Sequence, residues 1–246
     1  MKGQKMNSYI DIHSHILPQI DDGAENFDVS MKMLRTAYGD GIKTIIVTPH
    51  YKPGRHNAGP EKIHSLMNKL RREAGKEGMD VELYPGNEFY YHDGIFGELE
   101  RDRACTMAGS AYVLIEFGPM ERFEYIRNGL YEALAHGWRP ILAHAERYSA
   151  ILGKTEHVEE LIRLGSFIQV NAGSILGKTG MGARQFTKNL LKEHLVHFVA
   201  TDAHDEKKRK PVLSDCGKYI RRRYGEAYAE SLFYGNPIHI IKNEYI

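Results

Sequence analysis

Two short runs near opposite ends of the chain carry pairs of potential metal ligands: Asp11-Ile12-His13-Ser14-His15 and Thr201-Asp202-Ala203-His204. In a strand, residues two apart point to the same side, so each pair can grip one ion. Further side chains of the same type are Asp22 in Ile20-Asp21-Asp22-Gly23, His50 in Thr48-Pro49-His50, and Glu88 in Gly86-Asn87-Glu88. Glu116 follows Val113-Leu114-Ile115, and His144 is followed closely by Arg147. No thiolate is among them, which favours borderline to hard divalent ions. Each has a plainer alternative when taken singly. With 13 histidines a chance His-x-His is unremarkable, Asp22 before Gly23 suits an ordinary turn, and Glu116 can form a salt bridge. Their joint placement decides between the two.

That placement follows from the elements around them. Seven short apolar runs read as strands: Tyr9–His13, Lys43–Val47, Val81–Tyr84, Tyr112–Phe117, Pro140–His144, Phe167–Val170 and His197–Thr201. They show little polar alternation, as expected of strands buried on both faces in a parallel sheet. Segments of helical spacing separate them, at Phe27–Gly39, Pro60–Ala74, Glu121–Ala135, His157–Leu164, Ala183–His194 and Ser214–Tyr234. Regular strand–helix alternation within 246 residues predicts a single α/β domain, a closed (β/α)7 barrel, with a doubly wound open sheet as the alternative. Residues 1–8 read as an N-terminal extension and residues 9–246 as the barrel. The ligand-type residues all fall where the apolar runs end. Barrel active sites are built at the C-terminal ends of the strands, so one fold brings them to one rim, and closure sets the first strand beside the last.

Bulk properties narrow the function classes. A net charge of +1 gives no nucleic-acid footprint, and Lys207-Lys208-Arg209-Lys210 reads as a solvated loop. Two cysteines far apart, Cys105 and Cys216, argue against a disulfide framework and fit a reducing, cytoplasmic setting. No apolar run approaches membrane-spanning length. Two apparent motifs are rejected. Cys216 to Arg222 has the Cys-x5-Arg spacing of cysteine-dependent phosphatases, but the segment reads as helix rather than a phosphate-wrapping loop. Ala172 to Thr179 nearly matches a phosphate-binding loop, but it does not run straight into a helix and reads as a loop on the barrel rim.

Taken in order, Ile10 to Pro18, Ile20 to Ala24, Thr48-Pro49-His50-Tyr51, Gly86-Asn87-Glu88, His144 to Tyr148, Val170 to Ser174 and Thr201 to His204 resemble the polymerase-and-histidinol-phosphatase (PHP) superfamily. More narrowly, they resemble the manganese-dependent protein-tyrosine phosphatases of bacterial capsule and exopolysaccharide operons. The resemblance implies a distorted seven-stranded (β/α) barrel holding three divalent metal ions. By that resemblance His13, His15, Glu88 and Asp202 hold one ion. Glu88 bridges to a second, completed by Glu116 and His144, while Asp22, His50 and His204 hold the third. Arg147 and Arg209 match positions that contact substrate phosphate. Manganese is the first choice of metal, with iron, zinc and magnesium as alternatives. The implied partner is a phosphotyrosine protein, the tail of a bacterial tyrosine kinase, with neither nucleic acid nor membrane insertion involved.

The chemistry suits those residues. A phosphate monoester carries about two negative charges near neutral pH. A cation cluster neutralises that charge and supplies hydroxide, here expected between the two ions sharing Glu88. A phenolate leaving group, of conjugate pKa about 10, needs less protonation help than an alkoxide. The rival readings are another PHP phosphoesterase such as a histidinol phosphatase, an amidohydrolase-like hydrolase, and a binding module with a degenerate metal site. The set predicts that His13→Ala or Asp202→Ala removes most phosphatase activity while circular dichroism and thermal unfolding stay native-like. Wild-type turnover by a metal-poor His13→Ala protein would refute the metal mechanism.

Overall fold

The computed structural model describes residues 8–246. The expected N-terminal extension lies, apart from Ser8, outside the described residues. Among the described residues there are nine strands: β1 (Tyr9–Ser14), β2 (Ile42–Val47), β3 (His50–Tyr51), β4 (Glu82–Tyr84), β5 (Glu88–Tyr90), β6 (Tyr112–Glu116), β7 (Arg139–Leu142), β8 (Phe167–Asn171) and β9 (Phe198–Ala200). They pair in parallel as β1-β2-β4 and β3-β5-β6-β7-β8-β9. β3 resumes the path of β2 after Thr48-Pro49, and β5 resumes that of β4 after Pro85-Gly86-Asn87. Proline has no N–H to give a sheet ladder, so the breaks fall at Pro49 and Pro85. Nine strands therefore occupy seven positions, and each of the seven expected runs contains one.

The curled sheet brings its two ends together. Asp202 N donates to His13 O at 2.9 Å and His15 N to Ala203 O at 2.8 Å, with Ser14 bridged to Ala203. Asp11 clasps the same seam. Its carboxylate accepts from Thr201 Oγ1 at 2.5 Å and Thr201 N at 3.0 Å. Burial holds the Asp11 carboxyl up at about 6 against those hydrogen bonds. Asp11 thus closes the barrel and is not one of the clustered ligands.

The helices are α1 (Phe27–Asp40), α2 (Pro60–Lys76), α3 (Ile95–Glu100), α4 (Phe123–Ala135), α5 (Thr155–Arg163), α6 (Ala172–Ile175), α7 (Met181–Lys192), α8 (Ser214–Tyr224), α9 (Glu226–Glu230) and α10 (Asn236–Lys242). Asn26 caps α1 by accepting from Val29 N at 3.0 Å. The expected single helix over Ser214–Tyr234 is instead α8, α9 and a π-turn at Ser231–Gly235. The break is at Gly225, whose φ of 99° and ψ of 159° no helix admits. Ala172–Ile175, expected as loop, is one helical turn. No helix among the described residues is long and apolar enough to cross a membrane.

The core has two layers. Ile45, Leu83, Val113, Ile115, Leu142, Ile168, Val170 and Val199 face the helices. Ile10, Ile12, Ile46, Tyr112, Leu114, Ile141, Phe167 and Phe198 fill the barrel. Such alternation between two apolar environments explains the missing polar period in the sequence. α10 stoppers the end formed by the strand N-termini. Ile240 joins the inner cluster, Tyr112 Oη donates to Glu244 O at 2.8 Å, and Ala111 N donates to Asn243 Oδ1 at 2.9 Å. Phe89, Tyr91 and Phe123 belong to the core.

His197, just before β9, accepts from Ile168 N through Nδ1 at 3.1 Å. Burial lowers its imidazole from 6.5 to about 4. Between those values the unfolded chain binds the extra proton, so His197 costs stability progressively as pH falls from 6.5 to about 4. Asn supplies an acceptor at the Nδ1 position without titrating. His197→Asn should therefore flatten the acid side of a plot of stability against pH, by up to about 3 kcal/mol in denaturant titrations. Parallel curves for the two proteins would contradict this.

Candidate metal centre

The barrel interior changes character along the strands. Leu114, Phe167, Ala200, Ile46 and Tyr84 line its apolar part. Two or four residues onward on the same side come Glu116, Gln169 with Asn171, Asp202, His50 and Glu88. The two-residue period thus converts an apolar core into a rim of polar groups. β1 is the exception. Ile10 and Ile12 face inward, and the register against β2 shifts between Asp11 and Ser14. That irregularity lets His13 and His15 reach the cluster from the other parity. His144 and Asp202 reach it through left-handed backbone, with φ of 33° and 51°. Strain at non-glycine residues of this kind persists where the surroundings over-determine it, typically at sites.

All nine expected ligands converge. His13 Nε2 lies 3.2 Å from His15 Nε2, 3.3 Å from Glu88 Oε1 and 3.5 Å from Asp202 Oδ1. His144 Nε2 is 2.8 Å from Glu88 Oε1 and 3.8 Å from Glu116 Oε2. His50 Nδ1 is 2.9 Å from both Glu88 Oε2 and Glu116 Oε1, and its Nε2 faces Asp22 Oδ1 at 3.2 Å. His204 Nε2 reaches the same Asp22 oxygen at 3.6 Å. Within the cluster, ligand atoms lie within 4.8 Å of one another in four overlapping groups: His15-Asp22-His50-His204, His13-His15-Glu88, His13-His144-Asp202 and His50-Glu88-Glu116. The grouping differs from expectation at three points: His15 also joins the Asp22 group, His50 stands with Glu88 and Glu116, and His144 groups with His13 and Asp202.

The donor set fits cations. His50 Nδ1, Glu88 Oε2 and Glu116 Oε1 are buried and lack hydrogen-bond partners despite their 2.9 Å approaches. Buried polar atoms are nearly always satisfied, so atoms crowded together without hydrogen-bond alignment call for another partner. Divalent cations would supply it, and oxygen and imidazole donors suit manganese, iron or zinc.

Charge is balanced locally. Burial would raise the Glu88 carboxyl, but His13, His144 and His15 hold it well below the usual range. Burial opposes Asp202 likewise, and His13, Arg147 and His144 hold it down. Burial would lower His15, yet Asp21 and Glu88 lift it to about 9. His50 is lifted to about 12 by Asp22, Glu116 and Glu88 against the same burial. Burial takes His204 down to about 3. His13 is raised likewise, by Glu88 and Asp202 against its burial, so metal uptake would compete with protons at these imidazoles.

A supporting layer escaped the sequence reading. Gln169, fully buried on β8, accepts through Oε1 from His144 N at 2.8 Å and stands 3.2 Å from His13 Nδ1. The backbone donor fixes that oxygen as an acceptor, so His13 Nδ1 carries the proton and Nε2 keeps its lone pair for the cluster. Gln169 Nε2 donates to Asn171 Oδ1 at 2.8 Å, and Asn171 Nδ2 to Asp202 Oδ2 at 2.9 Å. Asp21 plays the same part for His15, at 2.7 Å from Nδ1, while accepting from Gly23 N and His50 N. A Cβ on Gly23 would stand 2.1 Å from His15 O, so the turn requires glycine. The signal for Gln169 and Asn171 was present: two amides, two apart, in an otherwise apolar strand.

Both arginines stand at the cluster. Arg147 Nη2 lies 2.6 Å from Asp202 Oδ2 and Arg209 Nη2 lies 2.7 Å from Asp202 Oδ1. Asp205 selects Arg209 from its basic neighbours by accepting from Lys207, Lys208 and Arg209 N–H groups, and Lys207, Lys208 and Lys210 point to solvent. Cys216 is buried on α8, where burial pushes its thiol far up, so it is no nucleophile.

A family model described as capsular polysaccharide synthesis, CpsB/CapC, matches residues 9–242. The chain is 33% identical over 242 residues to tyrosine-protein phosphatase CpsB of Streptococcus agalactiae serotype V, covering 96% of this chain and all of that protein. It is 35% identical over 221 residues to tyrosine-protein phosphatase YwqE of Bacillus subtilis, covering 88% and 85% of the two chains. A solved structure, from work on YwqE of Bacillus subtilis and CpsB of Streptococcus pneumoniae described as metal-dependent tyrosine phosphatases, matches with a TM-score of 0.89 at 30% identity over 96% of each chain.

Gln169→Leu should weaken metal binding about 10- to 100-fold, read by competition with a chelator, because His13 loses its tautomer lock and His144 N its acceptor. Unchanged metal affinity would show that the amide only fills space.

Proposed function

The chain belongs to the CpsB/CapC capsular polysaccharide synthesis family, and from that premise we propose that it is a metal-dependent protein-tyrosine phosphatase working at a three-ion site. The convergence of His13, His15, Asp22, His50, Glu88, Glu116, His144, Asp202 and His204 on one rim, with Arg147 and Arg209 beside it, carries this reading. Glu88 meets His13, His15, His50 and His144, a position suited to bridging two ions. Asp22, His50 and His204, with His15 beside them, would hold a third ion. Bound cations would neutralise the phosphate and lower the pKa of a water to supply the nucleophile.

The chain's own residues do the rest. The Arg147 and Arg209 guanidinium groups converge on one carboxylate, and a phosphate entering between them meets two forked donors. Gln169, Asn171, Asp21 and Tyr148 stand behind the ligands, so the imidazoles need little reordering on binding. The leaving phenolate needs little protonation help, so no dedicated acid is required. We propose manganese as the native ion, a bacterial tyrosine kinase tail as the substrate, and a reducing cytoplasmic setting. The free, buried Cys105 and Cys216 and the family's capsular role support the last two.

The test sets a phosphotyrosine peptide against histidinol phosphate, with metal content measured on the same sample. Turnover should favour the peptide, vanish on chelation, and return best with manganese. Preference for histidinol phosphate would overturn the substrate assignment. Arg147→Ala should raise KM about tenfold or more while leaving metal content intact.

A further inference from the structure

Resting on the phosphatase reading, we infer that Lys52 and Arg55, on the loop between β3 and α2, form a subsite for a second anionic group on the substrate, carried beside the phosphotyrosine. A cleft of about 340 Å³ opens directly on the ligands Asp22 and His50, and its far wall is Lys52, Arg55, His56 and Asn57. Of the carboxylates in this cleft, Asp21 is committed to His15 and two backbone N–H groups, and Asp22 places Oδ1 against His50 and His204 while its side chain stays exposed. Against that one exposed carboxylate the cleft wall sets two cations, Lys52 and Arg55. Arg55 is exposed and takes part in no ion pair among the described residues. Lys52 Nζ lies 3.7 Å from Glu116 Oε1, which ties the loop to the ligand cluster.

The loop is built to hold these cations in place. Lys52-Pro53-Gly54-Arg55 forms a β-turn in which Arg55 N donates to Lys52 O at 3.4 Å. Pro53 suits the second position of a type II turn, and Gly54 supplies the positive φ, 67°, at the third. Nothing lies within 4 Å of a Cβ at Gly54, so the glycine answers to backbone conformation rather than space. Asn57 closes the loop twice, accepting from Lys52 N at 2.8 Å and donating to Lys52 O at 2.9 Å. A preformed loop binds without an ordering cost. It stands beside the phosphate site, where a neighbouring residue of a bound peptide must lie. A carboxylate or a second phosphate meets the same chemistry, so the substrate class is a phosphotyrosine segment with an adjacent anion.

The experiment uses the metal-loaded full chain and three peptides differing at the residue next to phosphotyrosine: glutamate, a second phosphotyrosine, or glutamine. p-Nitrophenyl phosphate serves as a substrate too small to reach the loop. The wild type should favour the two anionic peptides. Arg55→Ala should lower kcat/KM for them about three- to tenfold, mainly through KM and most strongly at low salt, with p-nitrophenyl phosphate unchanged. Arg55→Glu should abolish the preference for the two anionic peptides over the glutamine peptide. The glutamate and phosphotyrosine arms tell which anion the subsite takes. Equal turnover of all three peptides by the wild type, or an equal loss on p-nitrophenyl phosphate in Arg55→Ala, would overturn the subsite alone. A wild type inert toward every phosphotyrosine substrate would overturn the phosphatase reading and the subsite with it.

Discussion

Concentrating four carboxylates and five imidazoles in one desolvated bowl is the constraint on which the rest of this molecule depends. An unpaired buried charge is very costly. The protein meets that cost with opposite partners from every side. His13, His15 and His144 surround Glu88, and Arg147 and Arg209 take both oxygens of Asp202. Such a cluster is poor as a source of stability, since replacing a buried ionic network with apolar side chains is often neutral or stabilising. Its presence marks a function, and the fold is arranged to tolerate it.

The tolerance comes from geometry repeated around the barrel. Parallel strands end at one rim, and their inward faces switch from aliphatic to polar at that rim. Several exceptions to regular strand structure fall beside it: the prolines that interrupt two strands, the register shift between Asp11 and Ser14, and left-handed backbone at His144 and Asp202. The β1 shift and the left-handed backbone at His144 aim side chains where regular alternation would not. Behind them, Gln169, Asn171 and Asp21 convert flexible ligands into a preset array, because each fixes a ring nitrogen or a carboxylate oxygen. At the opposite end of the barrel α10 and its apolar residues close the core, so the polar rim rests on a packed, dry support.

The strands and most helices were legible from the residues because hydrophobic runs and glycine or proline punctuation are local signals. The ligand set was legible for a different reason: residue types and order matched a known family, and strand ends gave that order a spatial meaning. Less legible was anything set by a distant contact. Asp11 opens the motif that drew attention to the site, yet it serves the barrel seam, as only its contact with Thr201 reveals. Of the adjacent Asp21 and Asp22, the first turns inward to support His15 and the second faces His50 and His204. The sequence Ser214–Tyr234 carries helical spacing throughout, and the chain nonetheless breaks at Gly225 to pack α8 and α9 separately.

By itself, then, the sequence determined the chemistry available: which donors exist, on which strand each lies, and that all of them face one rim. Only the tertiary structure decided how those donors share neighbours, which arginine among four basic residues faces Asp202, and which buried amides hold the ligands in place. The physical reason is range. Alternation, capping and turn formation act over a few residues, whereas ligand sharing and hydrogen-bond support join side chains from strands far apart in the chain, whose relative positions exist only once the barrel has closed.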